Sequence, residues 1–213
     1  MEKTEYSPQE ILFEIQEEVS DLSFLWNSYN QLFHSDSTSM AYDKSPIFFM
    51  HLKEILQKNI IITITRLFDP KDKKGKKQVI LGHNIGYHFL IAQLREEKYS
   101  SEGIGQLENR ICSFKQENSA LFTYRHKLIA HNDSDTFKDE STRNEFKQIF
   151  STTDFATVIG CIANLTNDFV EFFYQSSIIP ADVLLDNHIY KMNFEGRNTD
   201  AGKMISSLGK EDN

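Results

Sequence analysis

Apolar residues recur along most of the chain at three- and four-residue steps, the period of a helix with one buried face. The first stripe runs through Ile11, Ile15, Val19, Leu22, Leu25, Trp26, Tyr29 and Phe33, with acidic residues on the other side. Ser7-Pro8-Gln9-Glu10 opens it: Ser7 can cap, Pro8 suits the first helical position, and Glu10 can reach back to complete a capping box. Ser45-Pro46 repeats the start signal. Phe48, Phe49, Leu52, Ile55 and Leu56, followed by the run 60–68, predict a second long helix that Asp69-Pro70 ends. The β-branched segment 60–65 would also suit a buried strand. Helix is the expectation, because no breaker precedes the segment and no partner strand is visible.

A shorter helix is predicted over 84–97. Gly103 and Gly105 read as punctuation before a fourth helical stretch, about 107–130, with a break near 116–119. The polar residues 132–151 predict a loop. Thr153-Asp154 caps a fifth helix, whose inner face is Phe155, Val158, Ile159, Ile162, Leu165, Phe169, Phe172 and Phe173. After Pro180 the pattern fades, giving a helical domain over 1–180 and a C-terminal extension over 181–213 with few anchors beyond 194. The fold class expected is all-α: an antiparallel bundle of four to five long helices, with a short extra helix and a C-terminal tail.

Composition narrows the function. With 213 residues, 39% of them hydrophobic and 17 of them Phe, one domain can close a core without disulfides or metal. The formal charge of −8 argues against coating nucleic acid by bulk electrostatics, yet leaves room for a local phosphate site built from two or three cations. The lysines of the segment 71–77 have no aromatic interleaving and read as a solvated connector. Two cysteines far apart, Cys112 and Cys161, point to a reducing compartment. The polar start resembles no signal peptide, and the longest apolar run is far too short to span a bilayer. The expectation is a cytoplasmic protein with no membrane partner.

One segment is chemically loaded: Tyr124-Arg125-His126-Lys127-Leu128-Ile129-Ala130-His131-Asn132-Asp133. On an ideal helix Arg125 and His131 project about 120° apart and are displaced by roughly 9 Å along the axis. They form no tight pair but can line one side of a groove. A helix C-terminus favours imidazolium, and a His of unperturbed pKa about 6.5 becomes a usable proton donor near neutrality. Arg125 keeps its proton and presents a planar fork suited to phosphate. Cation plus acid is a minimal kit for RNA cleavage, in which the ribose 2′-hydroxyl attacks phosphorus and the 5′-oxygen departs protonated. The plainer reading has Arg125 paired with an acid, Asp69 or Asp133, while His131 caps the helix. A second candidate is Arg66-Leu67-Phe68-Asp69, where Arg66 and Asp69 can pair locally, support the structure, or contact phosphate. His83/His88 and His126/His131 are five apart and not preorganised for metal, and no cysteine pair, phosphate loop or dinucleotide fingerprint is present, so neither metal nor cofactor is expected.

The stretch from Arg125 to His131 resembles the Arg-x(4–6)-His signature of HEPN domains. The Arg66-Leu67-Phe68-Asp69 element, the Trp26/Tyr29/Phe33 helix and the Ala130-His131-Asn132-Asp133 ending resemble the Abi-U-like branch, associated with bacterial abortive infection. The resemblance covers roughly residues 8–178. It implies a helical bundle that forms a homodimer, with two motifs facing each other across a composite cleft. It also implies metal-independent RNA cleavage by a toxin or phage-defence effector, with Arg125 binding phosphate and His131 transferring a proton. His126 stands where the family commonly has a polar residue, often Asn, and would assist phosphate binding or face solvent. Asp133 stands where toxins silenced by a nucleotidyltransferase carry Tyr, which argues against adenylylation there. Many members have lost nuclease activity, so a non-catalytic RNA-binding or dimerisation module of a defence complex, with an antitoxin or other protein partner, stands beside the ribonuclease reading.

Overall fold

Ser7 starts the first helix, α1 (Pro8–Phe33), by the box its sequence announces. Its hydroxyl accepts from the Glu10 backbone N–H at 3.3 Å, and its own N–H donates to the Glu10 carboxylate at 2.8 Å. The Ser7 backbone N–H most strongly, and then the Ser7 hydroxyl, which also donates to the carboxylate at 3.0 Å, hold the Glu10 carboxyl below its ordinary range. The computed structural model describes residues 6–34, 45–69, 85–130 and 140–176, with the backbone alone in 126–130, 140–143 and 145–146. The further helices are α2 (Pro46–Leu67), α3 (Tyr87–Glu96), α4 (Ser101–Glu117), α5 (Ser119–Ala130), α6 (Glu140–Thr152) and α7 (Phe155–Gln175). No strand occurs among the described residues, and none of their helices is long and apolar enough to cross a membrane. The expected basic connector over 71–77, the domain boundary at 180 and the C-terminal extension all lie outside the described residues.

The bundle is antiparallel where its longest helices meet. Tyr29 on α1 accepts a hydrogen bond from Gln57 on α2, while Glu18, earlier on α1, pairs with Arg66, later on α2. Trp26 near the end of α1 packs on Phe155, the first residue of α7. Phe172, near the end of α7, meets Gly103 at the start of α4, and Arg110 of α4 pairs with Asp168. The apolar stripe of α7 is buried along its whole length, and Ile11, Ile15, Val19 and Leu22 of α1 are buried against the same core. At about 25 cal/mol per Å² of apolar surface removed from water, such continuous stripes supply the main drive for assembly.

The run 60–65 is helical despite its β-branched composition. Ile60, Ile61, Ile64 and Thr65 have no exposed surface, and Thr65 returns its hydroxyl to the Ile61 carbonyl at 2.7 Å. Burial between α1 on one side and α5 on another outweighs a propensity difference of at most about 0.7 kcal/mol per residue. The expected break near 116–119 falls at Asn118, where α4 gives way to α5.

Three boundaries differ from the sequence reading. The third helix begins at Tyr87 rather than near 84, because Ile85 and Gly86 form an approach segment before it. Gly103 and Gly105 do not punctuate; they lie in the first turns of α4, capped by Ser100. A Cβ on Gly103 would stand 2.6 Å from the Phe172 ring, so this glycine lets α7 come close, whereas nothing lies within 4 Å of a Cβ on Gly105. Gly105→Ala is therefore expected to stabilise the protein by about 0.5–1 kcal/mol through helix propensity and chain entropy. A denaturation midpoint that falls instead would show a contact absent from this structure. Finally, the region read as a loop over 132–151 contains α6 from Glu140 onward. That helix is polar except for Phe146, Ile149 and Phe150, spaced on one face, and is anchored by Phe150, which stacks on Phe155 at 4.4 Å and meets the Tyr29 ring edge-on. The stripe is short, and the packing of Ile149 and Phe150 against the core holds the helix.

Candidate functional site

The site forms where α2 ends. Phe68 is the C-cap of α2, and its ring is buried between Phe114 of α4, stacked at 4.2 Å, and Tyr87 of α3, at 5.0 Å. This aromatic wedge fixes the direction in which the chain leaves the helix, so the next residue, Asp69, faces α5. The Asp69 N–H still donates to the Arg66 carbonyl at 3.1 Å, although Asp69 itself is outside the helix.

There Asp69 meets Arg125. The two terminal guanidinium nitrogens, Nη1 and Nη2, each donate to one carboxylate oxygen, a bidentate end-on pair. The Arg125 side chain is only 14% exposed and that of Asp69 27%, so water screens the pair incompletely. Arg125 Nε is buried and has no acceptor among the described residues. A buried donor left unmatched costs about 1–3 kcal/mol.

The sequence had offered Arg66 and Asp69 as a local pair, and they do not form one. Leaving the helix at Phe68 takes Asp69 off the face it would share with Arg66. Arg66 turns instead to Glu18 of α1 and lines a shallow groove between α1 and α2 with Asp21, Phe24 and Thr63. Asp69 and Arg125 are thus joined, as one of the sequence readings had it, and Arg66 is committed elsewhere. His131 and Asp133 lie outside the described residues, as does the side chain of His126.

Two further residues belong to this junction and were not singled out by spacing. Lys115, in the last turn of α4, donates to the Phe68 carbonyl at 3.1 Å and lies over the Phe122 ring at 5.6 Å. It thereby satisfies one of the carbonyls that a helix C-terminus leaves open. His88, in the first turn of α3, is half-buried, and its Nε2 has no partner among the described residues. Burial chiefly, and then the charge of Lys115, lower its pKa; Glu108 and Asp69 oppose that shift without cancelling it. The imidazole is therefore held neutral at neutral pH. A lone histidine and a lone lysine carry no sequence signal of this kind, because only the packing of α3 and α4 against the α2 end brings them together.

The aromatic element of the first helix is likewise explained by packing. Trp26 stacks on Tyr29 with planes at 13°, and Phe33, Phe150 and Phe155 complete the cluster. These rings join α1, α6 and α7.

An all-helical bundle is the form expected of a HEPN domain. The family model described as AbiU2, a HEPN family, matches residues 9–178, and the chain belongs to that family. Membership associates it with abortive-infection defence in the coarse sense that the family carries. No curated protein and no solved structure matches the chain.

Proposed function

We propose that the protein is a metal-independent endoribonuclease of phage defence, acting in the cytoplasm as a homodimer. The observation that supports this best is the state of Arg125: a guanidinium held rigid by Asp69, with Nε–H lacking an acceptor among the described residues. Rigid placement by a second residue is what a phosphate-binding group requires, and a phosphate would share the Nη donors that Asp69 engages. In this reading Arg125 stabilises the negative charge that builds on the phosphoryl oxygens as the ribose 2′-oxygen attacks. His131, six residues on, gives its proton to the departing 5′-oxygen or takes one from the 2′-hydroxyl, and His126 and Asp133 border the strand. Arg66 and Asp69 act as supports rather than ligands.

The test is cleavage of RNA in EDTA by wild type and His131→Ala. Wild type is expected to cleave, and His131→Ala to be slower by about 10²–10⁴, the usual worth of a general acid or base. Equal rates for the two proteins, or no cleavage by either, would remove the proposal.

A second reading has its own support. The depth of Arg125, together with its engagement by Asp69, is what structural glue looks like. Under that reading the protein is a non-catalytic RNA-binding or dimerisation module of a defence complex, working with a protein partner. The same site would then govern stability without governing any reaction.

A further inference from the structure

Two cations meet at the α2 end, Arg125 and Lys115, and among the described residues only the first has a carboxylate partner there. The two carboxylates near His88 are both committed elsewhere, Asp69 to Arg125 and Glu108 to Arg95, the latter at 2.5 Å. His88 is neutral there and adds no charge. Lys115 is left with a carbonyl and an aromatic face, and no carboxylate among the described residues pairs with it. A partly buried ammonium in that condition retains unused N–H donors and a field that favours an anion.

Its position is equally specific. Lys115 is anchored on the carbonyl of Phe68, and Arg125 on the carboxylate of Asp69. The anchors belong to consecutive residues, whose Cα atoms are about 3.8 Å apart. The two cations are thus tied to one short piece of backbone, and they come from different helices, α4 and α5.

We propose that Lys115 binds a second phosphate of a single-stranded RNA, adjacent to the phosphate that Arg125 holds. The inference rests on Arg125 being a phosphate contact, as argued above. The strand then crosses the end of α2, and Lys115 acts as a point charge that sets its register while taking no part in proton transfer.

The experiment is binding of a short oligouridylate across a range of KCl concentrations, with His131→Ala as the common background so that the strand survives. Each phosphate contact on a single strand contributes about 0.7 to the slope of log affinity against log salt. Lys115→Met keeps the aliphatic stem that packs on Phe122 but removes the charge. It should reduce the slope by about one such increment and weaken binding several-fold at moderate salt. Lys115→Arg should restore both. A lysine that only caps α2 would change the melting temperature and leave the slope alone; an unchanged slope with Lys115→Met overturns the proposal. Arg125→Gln separates this result from the fate of the underlying reading. If Arg125→Gln lowers the slope and Lys115→Met does not, only the second contact is lost. If neither changes it, or no form binds, the phosphate role of Arg125 falls too.

Discussion

Arg125→Ala is expected to lose both stability and RNA cleavage, and the two losses have different causes. Removing one member of a buried ion pair costs about 3–5 kcal/mol, because the other is left charged and poorly solvated. Asp69 is about one-quarter exposed and can recover part of its hydration, so a loss of about 2–3 kcal/mol is the better figure here. For a domain of this size that corresponds to roughly 5–10 °C in melting temperature. The cleavage rate should fall by about 10² or more, as when a transition-state oxyanion loses its donor. Thermal melts and an RNA digest made well below the melting point of the variant separate the terms. A variant that melts within a degree of wild type would show that the Arg125–Asp69 pair contributes nothing to the fold.

Gly86→Ala should be nearly as damaging, though it touches no charged group. Gly86 caps α3 in an extended conformation that any residue can adopt, so its requirement is space. A Cβ there would lie 2.6 Å from the Leu67 carbonyl oxygen and 3.1 Å from its carbon. Both are backbone atoms at the end of α2, and neither can rotate away. The substitution must push α3 from α2, parting the tilted rings of Phe68 and Tyr87 and moving the segment that carries Asp69. Tyr87 would also lose the buried bond between its hydroxyl and Thr166, 2.7 Å long. A destabilisation of about 2–3 kcal/mol follows from overpacking a site that cannot yield. Equilibrium unfolding in urea checks it, and Gly105→Ala serves as the control in which a glycine is replaced without collision. Equal midpoints for Gly86→Ala and wild type would contradict the close approach of α2 and α3.

The bundle was legible in the chain because most of its helices carry complete stripes. Every inner position read for α7, from Phe155 to Phe173, is buried, and the capping box at Ser7 forms as written. What escaped was set by contacts distant in sequence. The helix α6 has a sparse apolar pattern, Phe146, Ile149 and Phe150, that a longer stripe would have made obvious. Gly103 looked like a stop because its use, admitting Phe172, is decided by another helix. At the site, Arg125 was found by its place in a motif, and its partnership with Asp69 had been one of the readings left open. The Arg66–Asp69 pairing failed because helical spacing ceases to apply beyond Phe68. Lys115 and His88 were invisible for the same reason: α4 and α3 bring them to the α2 end only after the aromatic wedge around Phe68 has formed.

The phosphate role of Arg125 is tested most directly by Arg125→Lys, assayed for cleavage of single-stranded RNA in EDTA. Lysine retains a charge for Asp69 but loses the planar fork, so the bidentate pair with Asp69 is weakened along with any bidentate recognition of phosphate. The expected result is a folded protein that melts below wild type but above Arg125→Ala, and that cleaves at least about tenfold more slowly when assayed well below its melting point. Cleavage by Arg125→Lys at the wild-type rate would contradict the account, since a guanidinium that a point charge replaces without loss is serving the bundle alone.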